Sequence, residues 1–387
     1  MIPYGRQEIS KDDIESVVDV LRSDFLTQGP VVPNFEAALA GYCGAEFGIA
    51  VNSATSALHL ACLALGLKKG DILWTSPISF VASSNCGVYC GASIDFVDID
   101  LETYNMSVEN LEFKLIQAEK IGKLPKIVIP VHLAGQSCDM IKIKELSVRY
   151  NFKIIEDASH AIGGKYEGSP IGSCLYSDVT VFSFHPVKII TTGEGGMCMT
   201  NSPEIASKIY RLRSHGIVRH ADEMTCPPDG PWYYQQVELG YNYRMTDIQA
   251  ALGYSQFKRL DEFVSKRHTI VSNYNELISE NDFTLPKTNG VSYSSFHLYI
   301  IRVKNSSEHL SIFQKLRHHG ILVNLHYIPI YRHPFYQKFN FDKKDFPNAE
   351  IYYSQAISLP IYTTLTRESQ EYIAKVLNSP FGYQNLF

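Results

Sequence analysis

Between residues 48 and 200, short apolar runs alternate with segments whose apolar positions recur at helical spacing. The runs are FGIAV, DILWTS, IDFVDID, KIVIPVH, FKIIEDA, VTVFSF and GMCMT. Runs this short, apolar on both faces, predict a largely parallel sheet covered by helices. Helix starts are marked by Ser10-Lys-Asp-Asp13 and Ser107-Val-Glu-Asn110, where a hydroxyl can cap the first turn ahead of the apolar spacing. After Asp222 to Trp232, where CPPDGPW reads as a loop, Thr246-Asp-Ile-Gln249 opens a long helix with a capping box, predicted to bridge two units. Past residue 280 come FHLYIIRV and ILVNLHYI as strands, and helices near 308 to 319 and 366 to 377. These predict a large α/β unit over 1–250, with an N-terminal arm, and a smaller α+β unit over 251–387.

Composition narrows the class. The 387 residues contain no apolar run of 18, and MIPYGRQEISKDD lacks an apolar leader, so the expectation is a cytoplasmic protein without a membrane partner. The net charge of −5 is dispersed and no Lys/Arg cluster tracks a phosphate backbone, so no nucleic-acid partner is expected. Eight cysteines without a CxxC read as reduced thiols, and Cys86 with Cys90 lacks the histidines of a zinc site, so no metal is expected. With 24 Tyr and 20 Phe against 19% charged residues, apolar surface remains for subunit contacts.

Candidate chemistry begins with Lys188 in SFHPVKIITTGEGG, a lysine on an apolar, small-residue stretch. The plain reading is a surface lysine at a strand end; the functional one is a desolvated amine suited to a Schiff base. Asp157, in KIIEDASHAIGG, sits where a parallel strand ends, either as a helix cap or at the edge where such folds bind ligands. Together they suggest pyridoxal phosphate: the lysine holds the aldehyde carbon and the carboxylate keeps the pyridine nitrogen protonated. VNSATSALHLA places Ser53, Ala54, Thr55 and Ser56 at a helix start, which either simply caps the helix or receives a phosphate. Ser183 offers a further donor, and Phe80 in SPISFVASS is either a core aromatic or one that stacks on the cofactor ring. Among the histidines, His132 is predicted packed and hydrogen-bonded, while His185, near Lys188, is a candidate for substrate contact.

Taken in order, LTQGP, NSATSALHLA, SFVAS, FVDID, PVHLAGQ, EDASHAIG, SFHPVK, TGEGG, SHGI and LGYNYRMTDIQAALG resemble the DegT/DnrJ/EryC1/StrS family of sugar aminotransferases over nearly the whole chain. Within it, the chain is most similar to the pseudaminic-acid subgroup. The resemblance implies a PLP-dependent transferase of fold type I, with a mostly parallel seven-stranded sheet and homodimeric shared sites. It implies Lys188 as the Schiff-base lysine, Asp157 against the pyridine nitrogen and Phe80 on the ring. Ala54, Thr55, Ser183 and His160 would contact the cofactor, with Asn242 reaching the neighbouring subunit's phosphate. Tyr4, the stretch Asp24, Phe25, Leu26 and Thr27, and the stretch Leu325, His326, Tyr327 and Ile328 would line the sugar-nucleotide cleft, together with Ala54, Ser183 and Asn242. Two departures stand out: His160 where many members have Gln, and Ala54 where many have Gly. The implied reaction moves an amine from L-glutamate to a UDP-linked 4-keto-6-deoxy-N-acetylhexosamine. Rival readings are another nucleotide-linked keto sugar, a sugar dehydratase, which would carry histidine at 188, a ligand-binding regulatory relative, and a nicotinamide oxidoreductase, for which the GxGxxG is missing.

Overall fold

The structure, a computed structural model, describes residues 1–379. Seven of the predicted runs form one sheet: β1 (Phe47–Val51), β2 (Ile72–Thr75), β3 (Ser93–Phe96), β4 (Ile127–Ile129), β5 (Lys153–Asp157), β6 (Val179–Ser183) and β7 (Gly196–Thr200). The spatial order is β1-β7-β6-β5-β4-β2-β3. Only β7 runs antiparallel to its neighbours, Gly196 lying opposite Val51 on one side and Ser183 on the other. The remaining pairings are parallel, with Asp157 opposite Val181. The C-terminal ends of β1, β5 and β6 therefore share one edge, where open α/β sheets bind ligands.

Side chains alternate between the two faces, as a two-residue period requires. Ile49, Val51, Ile155 and Val181 pack with Leu58 and Leu60 of helix α3 (Ala54–Ala64) and with helix α4 (Ala82–Tyr89). Ala50, Phe182, Phe184 and Met197 enter the opposite cluster with Phe35 and Leu39 of α2 (Val31–Cys43). Further along, Trp74, Val128 and Ile154 pack on α5 (Val108–Lys120) and α6 (Met140–Tyr150). The predicted caps form: Ser10 and Asp13 make a reciprocal capping box at the start of α1 (Lys11–Arg22), and Ser107 caps α5.

The long helix predicted after Thr246 is two helices, α8 (Asp247–Phe257) and α9 (Leu260–Leu277), parted at Lys258 and Arg259; α7 (Pro203–Leu212) precedes them. Only α9 spans two cores. Its Leu260, Phe263 and Val264 pack under the large sheet, and Ile270, Val271 and Tyr274 enter the C-terminal core. The break matters because α8 packs squarely on α1 and α2, and α9 leaves that layer. The C-terminal unit is built on three antiparallel strands, β8 (Phe283–Thr284), β9 (Tyr299–Val303) and β10 (Ala356–Leu359). Of ILVNLHYI only Ile321–Leu322 is strand, because its partner is the two-residue N-terminal strand Ile2–Pro3; the rest turns away toward the sheet edge. No helix among the described residues is long and apolar enough to cross a membrane.

Candidate active site

A cavity of about 730 Å³ opens at the edge where β1, β5 and β6 end. Asp157, Lys188, Ser183, Phe80, His160, Ala54, Thr55, Tyr4, Leu325, His326 and Tyr327 all line it. The fold brings together residues as far apart in the chain as Tyr4 and Tyr327.

Each side chain is held by local structure. Asp157 ends β5 with its backbone N–H on the Pro130 carbonyl at 2.9 Å and its carbonyl accepting the His132 N–H at 3.0 Å. Period-two alternation sends Asp157 into the cavity and Glu156 to the far face, where it accepts bonds from His132 Nε2 (2.7 Å), Ser177 (2.5 Å) and Thr180 (2.9 Å). Burial raises the Glu156 pKa, but these donors outweigh it and hold the group below the usual carboxylate range. His132 is thus the packed, bonded histidine that its position predicts, away from the cavity.

Lys188 lies on the loop between β6 and β7. The loop closes on itself through Phe184 N–H to Gly195 carbonyl (2.9 Å) and Thr192 N–H to Phe184 carbonyl (3.0 Å). Ile189 and Ile190, at 4% and 1% exposure, anchor it in the Phe35–Phe184 cluster, and Lys188 turns into the cavity. The residue is half-buried and lines the cavity. Burial lowers its pKa to about 8, with Asp157 pulling in the opposite direction.

The start of α3 forms the cavity's third wall. Ser53 caps it, accepting the Ser56 N–H at 3.1 Å, and the Ala54 and Thr55 N–H groups have no intrahelical partner. Gly196 of β7 passes directly beneath: a Cβ there would sit 2.6 Å from the Ala54 nitrogen. The helix start can approach the sheet only because this position lacks a side chain.

The remaining wall is aromatic. His160 accepts the Ala134 N–H at Nδ1 (3.3 Å), which leaves the proton on Nε2 for the Tyr327 hydroxyl (3.1 Å). His297, which the sequence reading passed over, lies with its ring 4.4 Å from that of His160 and lines the cavity, its Nδ1 buried without a partner. Burial lowers the pKa of His160 and His297, and that of His326 to about 3, so these rings are neutral donors and acceptors. Phe80 is 58% exposed, its ring facing Tyr327 at 6.1 Å. His185 and Glu194 complete the rim.

Other predicted residues lie outside this cavity. Asn242 is exposed and pairs through its backbone with Ser214. Asp24, Phe25, Leu26 and Thr27 are exposed, ahead of a turn whose Gly29, Val31 and Val32 N–H groups are gathered by the Asp247 carboxylate at 2.6 to 3.0 Å. Asp24 and Phe25 border a second, shallower hollow of about 470 Å³. Ile328 is exposed beside the cavity-lining Tyr327. Among the described residues no cluster of three His, Cys, Asp or Glu is placed to hold a metal.

The DegT/DnrJ/EryC1/StrS aminotransferase family model matches residues 7–378. A UDP-4-amino-4,6-dideoxy-N-acetyl-beta-L-altrosamine transaminase of Campylobacter jejuni is 38% identical, the match covering 98% of this chain and 97% of that one. Helicobacter pylori PseC, an aminotransferase involved in the biosynthesis of pseudoaminic acid, superposes with a TM-score of 0.89 at 32% identity, covering 97% and 98% of the two chains. The PLP form of a putative sugar aminotransferase, Spr1654 from Streptococcus pneumoniae, superposes at 0.87 with 30% identity, covering 97% of each. The chain belongs to the DegT/DnrJ/EryC1/StrS family of PLP-dependent nucleotide-sugar aminotransferases.

Proposed function

We propose that this enzyme transfers the amine of L-glutamate to the C4 ketone of a UDP-linked 4-keto-6-deoxy-N-acetylhexosamine, with pyridoxal phosphate linked to Lys188. The observation that carries the reading is Lys188 and Asp157 in one cavity, an amine of lowered pKa and a buried carboxylate on adjoining segments. The residues present fit the cofactor: the α3 start over Gly196 offers free N–H groups for a phosphate, Ser183 a hydroxyl, and Phe80 a face for a ring. The altrosamine transaminase relative supports the sugar assigned here.

When bound, pyridoxal phosphate supplies an aldehyde that condenses with amines and a ring that absorbs the electron pair left on the adjoining carbon. The chain's own groups do the rest. Lys188 would hold the aldehyde carbon. Its amine, with a pKa lowered to about 8 by burial, would be the base that moves the glutamate α-proton. Asp157 would hold the ring nitrogen's proton by charge. The neutral histidines and Tyr327 offer hydrogen bonds to hydroxyl and carbonyl oxygens without adding charge.

A dimer with shared sites belongs to the same reading. This cavity's lining includes one lysine and no arginine, a poor match to a cofactor phosphate together with a diphosphate. Near Asn242, Trp232, Tyr234 and Leu239 expose 75%, 50% and 79% of their surface, apolar area suited to a second copy that would bring Asn242 to the neighbour's phosphate. The function is tested by adding L-glutamate alone to PLP-loaded protein. One 2-oxoglutarate per site with loss of the lysine-bound cofactor's visible absorbance, about stoichiometric rather than catalytic, is expected for a half-reaction; no 2-oxoglutarate would refute glutamate as donor.

A further inference from the structure

The turn that presents Phe80 to the cavity has a second, concealed side. Ser83, in the first turn of α4, places its Oγ 2.6 Å from Asp157 Oδ2, and both groups are buried. The other carboxylate oxygen, Oδ1, accepts the Ser159 N–H at 3.1 Å. Behind Ser83, the Ser79 hydroxyl lies 2.7 Å from the Ser83 oxygen.

Proton counting fixes the direction of this chain of bonds. An ionised carboxylate only accepts, and a serine hydroxyl has one proton to give. The proton of Ser83 is therefore committed to Asp157, and the bond between the two serines runs from Ser79 to Ser83. The Phe80 carbonyl, at 3.3 Å from the Ser83 oxygen, is the more distant alternative acceptor. The bond from Ser83 to Asp157 joins a hydroxyl donor to a carboxylate oxygen at 2.6 Å, one of the stronger classes of hydrogen bond. It also fixes the plane of the group: with one donor on each oxygen, the carboxylate cannot rotate without leaving a bond unmade.

We propose that Ser83, backed by Ser79, is a positioning residue that holds the Asp157 carboxylate in one plane and turned to the cavity, so that the pyridine proton remains on the cofactor's ring nitrogen. The inference rests on the reading of Asp157 as the ring-nitrogen partner. A rotated carboxylate would lose contact with that proton, and the ring would become a poorer acceptor of electrons. Five consecutive residues, Ser79 to Ser83, thus present a face to the ring and a constraint to its counter-ion.

The test uses the intact protein loaded with pyridoxal phosphate labelled with ¹⁵N in the ring, and compares wild type with Ser83→Ala, Ser83→Thr and Ser79→Ala. The wild-type resonance is expected at the protonated-pyridine position. Ser83→Ala should move it toward the neutral position, Ser83→Thr should restore it, and Ser79→Ala should move it the same way but less. Turnover of Ser83→Ala should fall by about tenfold to a hundredfold, the range for losing a hydrogen bond to a charged group, with KM little changed. If Ser83→Ala does not fold, Ser83→Cys keeps nearly the same volume with a weaker donor and should show the same displacement. A merely structural serine would lower thermal stability and leave the resonance in place. That result, with a protonated wild type, overturns the role of Ser83 alone. A wild-type ring nitrogen that is not protonated overturns the Asp157 assignment, and this inference with it.

Discussion

Removing the charge at Lys188 should stabilise the cofactor-free protein at neutral pH. Burial lowers the amine's pKa from 10.5 to about 8, a difference of about 2.5 units. At 1.36 kcal/mol per unit, keeping Lys188 protonated in the fold costs about 3 kcal/mol below pH 8. Between about pH 8 and 10.5 the unfolded chain binds more protons than the native one, so wild-type stability rises with pH and the cost fades. Lys188→Met retains the stem's volume and abolishes the term. The attraction of Asp157 is already contained in the lowered pKa, and solvent screens part of the cost at this half-buried position, so a net of about 1 to 3 kcal/mol at pH 7 is expected. Urea unfolding of both proteins without cofactor, followed by circular dichroism, measures it at pH 7 and pH 10. The variant should be the more stable at pH 7, with the difference shrinking at pH 10. Equal stability at both values, or a less stable variant at pH 7, would refute a desolvated amine at this position.

Asp157→Asn should retain the cofactor at Lys188, seen by borohydride reduction and peptide mass mapping, but lose most turnover, because an amide cannot hold the pyridinium proton by charge; near-wild-type rates would contradict its role. Gly196→Ala should weaken cofactor binding, measured by equilibrium titration, since its Cβ meets the Ala54 nitrogen at 2.6 Å and forces the α3 start outward. Unchanged affinity would mean that the α3 start is not the phosphate wall. Lys188→Ala and Asn242→Asp should each be nearly inactive, yet mixing them with subunit exchange should restore roughly a quarter of wild-type activity. No recovery, once exchange is demonstrated, would place Asn242 outside the neighbour's site.

The parallel sheet was legible because buried strands read as short apolar runs, and each of the seven runs contains a strand of the observed sheet. Asp157 and Lys188 stood out as charges following such runs, and the structure places both on the lining of one cavity. Ser83 and His297 were not. Serine is common in loops and caps, and only the folded sheet reveals that α4 lays one serine against a carboxylate 74 positions away. His297 lies within FHLYIIRV, which reads as an ordinary buried segment; its nearness to His160 depends on the C-terminal unit packing over the sheet edge. The break between α8 and α9 was hidden because Lys258 and Arg259 are good helix formers, and tertiary packing, α8 on α1 and α9 on the C-terminal core, turns the chain there. Asp24 to Thr27 and Asn242 were named through resemblance alone, and the structure places them outside this chain's own cavity.

The central claim, amine transfer to a nucleotide-linked 4-keto sugar, is tested most directly by mass spectrometry of the product. PLP-loaded enzyme is incubated with L-glutamate and UDP-4-keto-6-deoxy-N-acetylhexosamines of both C5 configurations, with Lys188→Ala as the control. The expected result is a UDP-linked 4-amino sugar from one configuration in preference to the other, formed in step with 2-oxoglutarate and absent with Lys188→Ala. Recovery of both sugars unaminated, by an enzyme that still converts glutamate to 2-oxoglutarate, would contradict the substrate assigned here; an amino sugar formed equally well by Lys188→Ala would contradict the chemistry.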